Sequence, residues 1–247
     1  MNSEWKLSDC EDRTYGLTNF ASAMKMPRIL FEDNHLLILE KPNNWLVQGD
    51  DTGDETLTDW GMEYIRKKYN KPGRVFCHPT HRLDRPVGGV VVFARTSKAA
   101  DRMARLFQEN EVDKHYLAVV QDTPKEPDGT LVHWLEKDTN RNTVNAYDKQ
   151  KGKAKRAELS YRLMASLGNR SLLKIKPKTG RSHQIRTQMR KLGHPIKGDL
   201  KYGYNKPNQD RSIDLHCYKM SFLHPVKKEK MTFTSRPNWP EFKDFIE

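Results

Sequence analysis

The spacing of apolar residues constrains this chain more than any other feature, because it reads mostly as strands. Strand-like runs stand at 28–31 and 36–40, around the turn Glu32-Asp33-Asn34, with Pro42 ending the second. Residues 90–94 are wholly apolar, as expected of a buried strand. Further strand-like segments fall at 116–121, 130–135, 157–165, 171–175, 215–223 and 230–234. Helical spacing appears in fewer places. Leu57, Trp60, Tyr64 and Ile65 share one face behind a candidate N-cap, Thr56. Ser97 is read as the cap of a second helix, with Ala100, Met103, Ala104 and Phe107 inward. Ser182 is read as the cap of a third, with Ile185, Met189 and Leu192 inward and Gly193 as its stop. Few β-α-β alternations remain. The pattern therefore predicts an α/β chain of the α+β type, with a mixed, largely antiparallel sheet flanked by helices.

Charge narrows the class of partner. The 247 residues carry 44 Lys and Arg against 32 Asp and Glu, a formal +12, which favours an anionic partner such as nucleic acid. The excess is local: between Lys149 and Lys191 the sole acidic residue is Glu158. Lys153, Lys155 and Arg156 in this stretch are candidate phosphate contacts. Three widely spaced cysteines, Cys10, Cys77 and Cys217, form no disulfide framework and point to a reducing, cytoplasmic setting. Cys77-His78 with His81 lacks a second ligand pair, so no metal is expected. No apolar run approaches the ~18 residues of a membrane span. Glu4, Asp9, Glu11 and Asp12 are wrong for a signal peptide or presequence. Residues 1–26 are read as a flexible extension, and 27–247 as one domain, expected to act as a monomer.

Two clusters carry candidate chemistry. His81-Arg82-Leu83-Asp84-Arg85-Pro86-Val87-Gly88-Gly89 presents one carboxylate among basic neighbours, directly before the apolar run at 90–94. An isolated Asp-Arg pair of this kind is more often a surface salt bridge. The second cluster runs from Lys176 through Thr179, Gly180, Arg181, Ser182 and His183 to Arg186. A helix starting at Ser182 sets Arg186 beside the apolar stripe, where a half-buried guanidinium needs an anion. Lys114-His115-Tyr116 opens a strand, and a lone Tyr there is more often core than catalytic.

The set of motifs, in this order, resembles the RluA-type pseudouridine synthases, which modify ribosomal and transfer RNA. His81-Arg82-Leu83-Asp84 with Gly89 is similar to their catalytic signature, and Lys114-x-Tyr116 to their second motif. Pro177-x-Thr179-Gly180-Arg181-x-His183-Gln184-Ile185-Arg186 resembles their third, and Gly193-His194-Pro195-Ile196-x-Gly198-Asp199 the loop after it. Leu215-His216 with His224-Pro225 resembles their closing segment. The resemblance implies the pseudouridine synthase fold, a cofactor-free isomerisation and RNA as partner. It implies Asp84 as the catalytic carboxylate, Arg186 as its partner and Tyr116 against the uracil. It also implies that Arg82 fills the space of a flipped nucleotide and that His81, Arg181 and His183 contact the RNA. Val87-Gly88 stand where many members have Thr-Ser, which removes two hydroxyls. The rival readings are a non-catalytic RNA-binding protein on the same scaffold and an N-glycosidase. A nucleotide-driven enzyme is disfavoured because no GxxxxGK[ST] loop is present.

Overall fold

The computed structural model describes residues 26–50 and 52–246. The extension expected over 1–26 lies, apart from Met26, outside the described residues. Among the described residues one sheet of eleven strands forms the body. In chain order these are β1 (Arg28–Glu32), β2 (Leu36–Lys41), β3 (His78–Pro79), β4 (Gly88–Ala94), β5 (Asp113–Gln121), β6 (Asp128–Asp138), β7 (Thr143–Tyr147), β8 (Lys155–Leu167), β9 (Arg170–Pro177), β10 (Leu215–Leu223) and β11 (Lys230–Thr234). Three α-helices accompany them: α1 (Leu57–Lys68), α2 (Ser97–Gln108) and α3 (Gln184–Leu192).

The strand order is β1-β2-β4-β10-β5-β9-β8-β6-β7, with β11 on β10 and β3 on β4. Among the strands of the described residues only the β4–β10 pair is parallel, which bears out the mixed, largely antiparallel sheet. The apolar runs occupy its centre: every residue of β4 is buried, as are Leu36, Leu37, Ile38 and Leu39 of β2. A strand with both faces covered has no room for polar alternation.

The β4–β10 seam is tight. Gly89 has φ +118, and a Cβ there would stand 2.3 Å from the Cys217 carbonyl oxygen. Gly89→Ala is therefore expected to destabilise the fold by about 3 kcal/mol or more, through steric overlap and left-handed strain combined. Urea unfolding would check this; a midpoint equal to that of the parent protein would refute it.

The sequence placed several elements differently. β7 escaped notice because Thr-Val-Asn-Ala-Tyr lacks a strong apolar pattern; it forms as the hairpin partner of β6. The cap of α2 is Thr96, not Ser97, with its side chain accepting from the Ala99 amide. The buried positions of α2 are accordingly Ala99 and Met103, and Ala104 faces solvent. Ser182 does not cap α3. His183 precedes the helix in a left-handed conformation, φ 49 and ψ 21, so helical geometry begins only at Gln184. Gln184 replaces the missing cap by pinning the loop, its Oε1 accepting from the Arg181 amide and the Thr179 hydroxyl. Gly193, φ 96, stops the helix as read from the sequence. Thr56 caps α1 as read from the sequence, and Asp59 completes a capping box with it.

Candidate active site

The loop before β4 is held from behind by an unusual side chain. Lys41 ends β2 fully buried, and its ammonium donates to the carbonyls of Pro42 at 3.1 Å, Arg85 at 3.0 Å and Val87 at 2.6 Å. Burial pushes its pKa down to about 7, against the attraction of Asp84. The Asn44 amide also donates to the Arg85 carbonyl, at 2.8 Å, and the Val87 amide closes a turn onto the Asp84 carbonyl at 3.0 Å. The backbone on both sides of Asp84 is thus fixed, and its carboxylate points into a cleft of about 880 Å3.

From the other wall, α3 brings Arg186 to Asp84. The guanidinium is buried, and its Nη1 donates to Asp84 Oδ2 at 2.9 Å. Its Nε and Nη2 grip Asp199 in a two-pronged pair at 2.7 and 2.9 Å. Burial opposes the charge of Arg186, yet the two carboxylates, Asp199 foremost, outweigh that penalty and raise its pKa. Its guanidinium also lies over the Tyr202 ring, 4.9 Å from the centroid. Among the described residues no hydrogen bond is made to Asp84 Oδ1, so one carboxylate oxygen is anchored and the other faces the cleft.

The cleft gathers most of the remaining candidates. Tyr116 lines it from β5, opposite Cys217 of β10 and Ile175 of β9 in register. Burial, reinforced by Cys217, raises its phenol well above the ordinary value, so it stays protonated at neutral pH. His183 places Nε2 3.8 Å from Asp84 Oδ2 and Nδ1 2.7 Å from the Tyr202 hydroxyl. His81 lines the cleft, but its Nε2 accepts the Val92 amide at 3.2 Å and its ring packs on Phe107. Burial, then the Lys114 charge, pushes it down to about 3 and keeps it neutral. Arg82 and Arg181 are exposed on the walls. Lys153, Lys155 and Arg156 are exposed but do not line the cleft, and Arg156 is paired with Glu158 at 2.6 Å.

Sequence reasoning missed Lys41, Asp199 and Tyr202, and the cleft cations Lys137 and Lys201. Lys41 had a legible signal, a lysine that follows Glu40 at the end of an apolar run. Asp199 stood in a motif that carried no stated role. Lys137 and Lys201 meet only through folding: the Lys201 ammonium donates to the Asn142 carbonyl at 3.2 Å, just before β7. Among the described residues, no group of three His, Cys, Asp or Glu side chains could hold a metal ion, and no helix is long and apolar enough to cross a membrane.

Comparison with known proteins agrees with this geometry. Residues 35–191 match the family described as RNA pseudouridylate synthase. The chain is 35% identical over 215 residues to the dual-specificity RNA pseudouridine synthase RluA of Haemophilus influenzae, spanning 85% of this chain and 93% of that protein. It is 33% identical over 228 residues to tRNA pseudouridine synthase C of the same organism, spanning 85% and 92%. Ribosomal large subunit pseudouridine synthase D of Zymomonas mobilis is 30% identical over 222 residues, 83% of this chain and 67% of that one. The solved structure of human RNA pseudouridylate synthase domain containing 1 shares the fold, with a TM-score of 0.69 at 24% identity over 92% of this chain and 90% of that one. An Asp-Arg pair at the bottom of a cation-walled cleft, on this sheet and within these motifs, has one consistent reading: the chain belongs to the RluA-type family of RNA pseudouridylate synthases.

Proposed function

We propose that this cleft isomerises uridine to pseudouridine in ribosomal or transfer RNA, with Asp84 acting on the ribose. The observation that carries the reading is the Asp84–Arg186–Asp199 chain, which presents one carboxylate oxygen to the cleft and anchors the other. The reaction breaks the bond from ribose C1′ to uracil N1, turns the base and rejoins it through C5. No electrons are gained or lost overall, so a single carboxylate serves, as nucleophile at C1′ or as base on the sugar. Arg186 supplies its counter-charge and holds it in place. Tyr116, held as a phenol, offers its ring to the uracil. The target nucleotide must leave its stack to reach Asp84, at a cost of a few kcal/mol that is least in unpaired RNA. Arg82 stands on the wall where it can fill the vacated space. Arg181, Lys114, Lys137 and Lys201 supply phosphate contacts around the mouth. The reading has the enzyme working in the cytoplasm as a monomer, with no cofactor.

The test uses unmodified ribosomal and transfer RNA transcripts tritiated at uridine C5, with EDTA present and no nucleotide added. Tritium should pass to water without release of free uracil. Release of free uracil still tritiated at C5, with no tritium passing to water, would mean a glycosidase, and activity restored only by a specific metal would overturn the cofactor-free chemistry. Mapping pseudouridine in cellular RNA with and without the gene then names the uridine.

A further inference from the structure

Whichever part Asp84 plays, the pair of electrons in the C1′–N1 bond leaves on the uracil. The resulting charge spreads from N1 to the O2 and O4 carbonyls, and a donor aimed at the base would stabilise it. Arg186 is committed to Asp84 and Asp199, and Asp84 is itself an anion.

His183 has a geometry that its place in the chain does not explain. A left-handed backbone costs a non-glycine residue about 1 kcal/mol or more, and the His183 side chain makes no capping bond to α3 in return. What the conformation achieves is the position of the ring, which lies between Tyr202 and the cleft with its side chain 13% exposed. Tyr202 is wholly buried, and its Oη already accepts the Val144 amide at 2.9 Å. The tautomer is set from the other side of the ring: the Asp84 carboxylate beside Nε2 favours a proton there, which leaves Nδ1 to accept from the Tyr202 hydroxyl 2.7 Å away. An imidazole that accepts at Nδ1 carries its own proton on Nε2, on the cleft side. Burial lowers the pKa of His183, ahead of the opposing pull of Asp84, so the ring is neutral. At 3.8 Å from Asp84 Oδ2, Nε2–H is too far for a strong bond there and remains available to a substrate.

We propose that His183 is a catalytic electrophile, whose Nε2–H donates to a uracil carbonyl as the C1′–N1 bond breaks. This rests on the isomerase reading above and assigns the residue a part in the chemistry beyond contact with RNA. The bonding pair stays with the base and delocalises over N1 and the two carbonyls. No proton leaves the imidazole. After C5 has bonded to C1′, the C5–H pair forms C5=C6, the N1=C6 pair withdraws to N1, the C5 proton passes to solvent and N1 takes one from solvent. A neutral donor suits this role because it stabilises the base without neutralising Asp84.

The experiment compares the full chain with His183→Gly and His183→Asn under single-turnover conditions, at saturating RNA. Glycine removes the donor and tolerates the left-handed backbone; asparagine keeps an amide N–H and also tolerates it. Two pools of ribosomal and transfer RNA transcripts serve as probes, one with uridine and one with 5-fluorouridine. Fluorine withdraws electrons, so its uracil leaves with less help. Disappearance of the starting nucleoside is read by chromatography after digestion, and folding is checked by thermal melting. His183→Gly should slow the uridine pool about 100-fold, the typical cost of removing one oxyanion donor, and the fluorinated pool less than about tenfold. His183→Asn should recover at least about tenfold on uridine. Equal slowing of both pools, or no slowing on uridine, would overturn the proposal. Failure of the unmutated protein on both pools would overturn the isomerase reading instead.

Discussion

Asp84→Asn should yield a folded protein that binds RNA with nearly unchanged affinity and forms pseudouridine at least about 10⁴-fold more slowly. The substitution keeps the size of the side chain and an oxygen that can still accept from Arg186 Nη1. What it removes is the anionic oxygen facing the cleft. Losing a nucleophile or base outright costs more than losing a hydrogen bond, because no neighbour can take over the bond-making step. The other cleft groups confirm how little redundancy exists. Tyr116 is a phenol held protonated by burial, His81 is tied to the β4 backbone, and Asp199 is buried behind Arg186. Tritium release under single-turnover conditions, paired with a binding curve, is the measurement. Turnover within tenfold of the parent would remove Asp84 from the chemistry, and a matching collapse of RNA affinity would assign it to binding.

How much of this was legible in the sequence depended on whether a residue's role was local. β10 and β11 were bounded as the structure has them, because each alternates or runs apolar over its whole length. Asp84 and Arg186 were readable because each stands in a dense cluster of special residues; a half-buried cation called for an anion, and the family resemblance named Asp84, 102 positions away, as that anion. Asp199 was not assigned, since nothing local says that it takes two of the donors of Arg186. The one-residue offset of the α2 face has a similar origin: Thr96 and Ser97 are both good caps, and it is Thr96 whose hydroxyl accepts the Ala99 amide. The cap expected at Ser182 failed for a different reason. Local propensity favoured a helix start there, while His183 takes a left-handed conformation that delays it. Conflicts of local rule with structure tend to gather at functional positions. The basic run at 149–156 is a different case. Charge density marked Lys153, Lys155 and Arg156, yet the cations that wall the cleft are scattered in sequence and converge only in the fold.

Arg186→Lys should lower the single-turnover rate about 100- to 1000-fold while RNA affinity changes by less than about threefold, as expected for a buried interaction that orients a reacting group. The guanidinium makes three bonds to two carboxylates that lie on different sides of it: Nη1 to Asp84 at 2.9 Å, and Nε and Nη2 to Asp199 at 2.7 and 2.9 Å. A lysine ammonium is a single point and cannot span both. Asp199, only 1% exposed, would capture it, because that carboxylate has no water to fall back on, and Asp84 would lose its anchor. The charge balance survives but the orientation does not, so the effect falls on the rate and not on binding. Stability should fall as well, by about 2 to 4 kcal/mol, since a buried carboxylate is left partly unpaired. The contrasting variant neutralises Lys137, Arg181 and Lys201 at the cleft wall. It should weaken binding and flatten its salt dependence by close to one unit of log-log slope for each phosphate left without a cation, with the rate at saturating RNA little changed. The same change at Lys153, Lys155 and Arg156 should flatten the slope less, because those side chains lie outside the cleft lining. Salt-dependent binding curves and single-turnover rates on all three variants separate the two kinds of cation. Normal turnover by Arg186→Lys at saturating RNA would show that the forked grip on Asp199 has no part in setting Asp84.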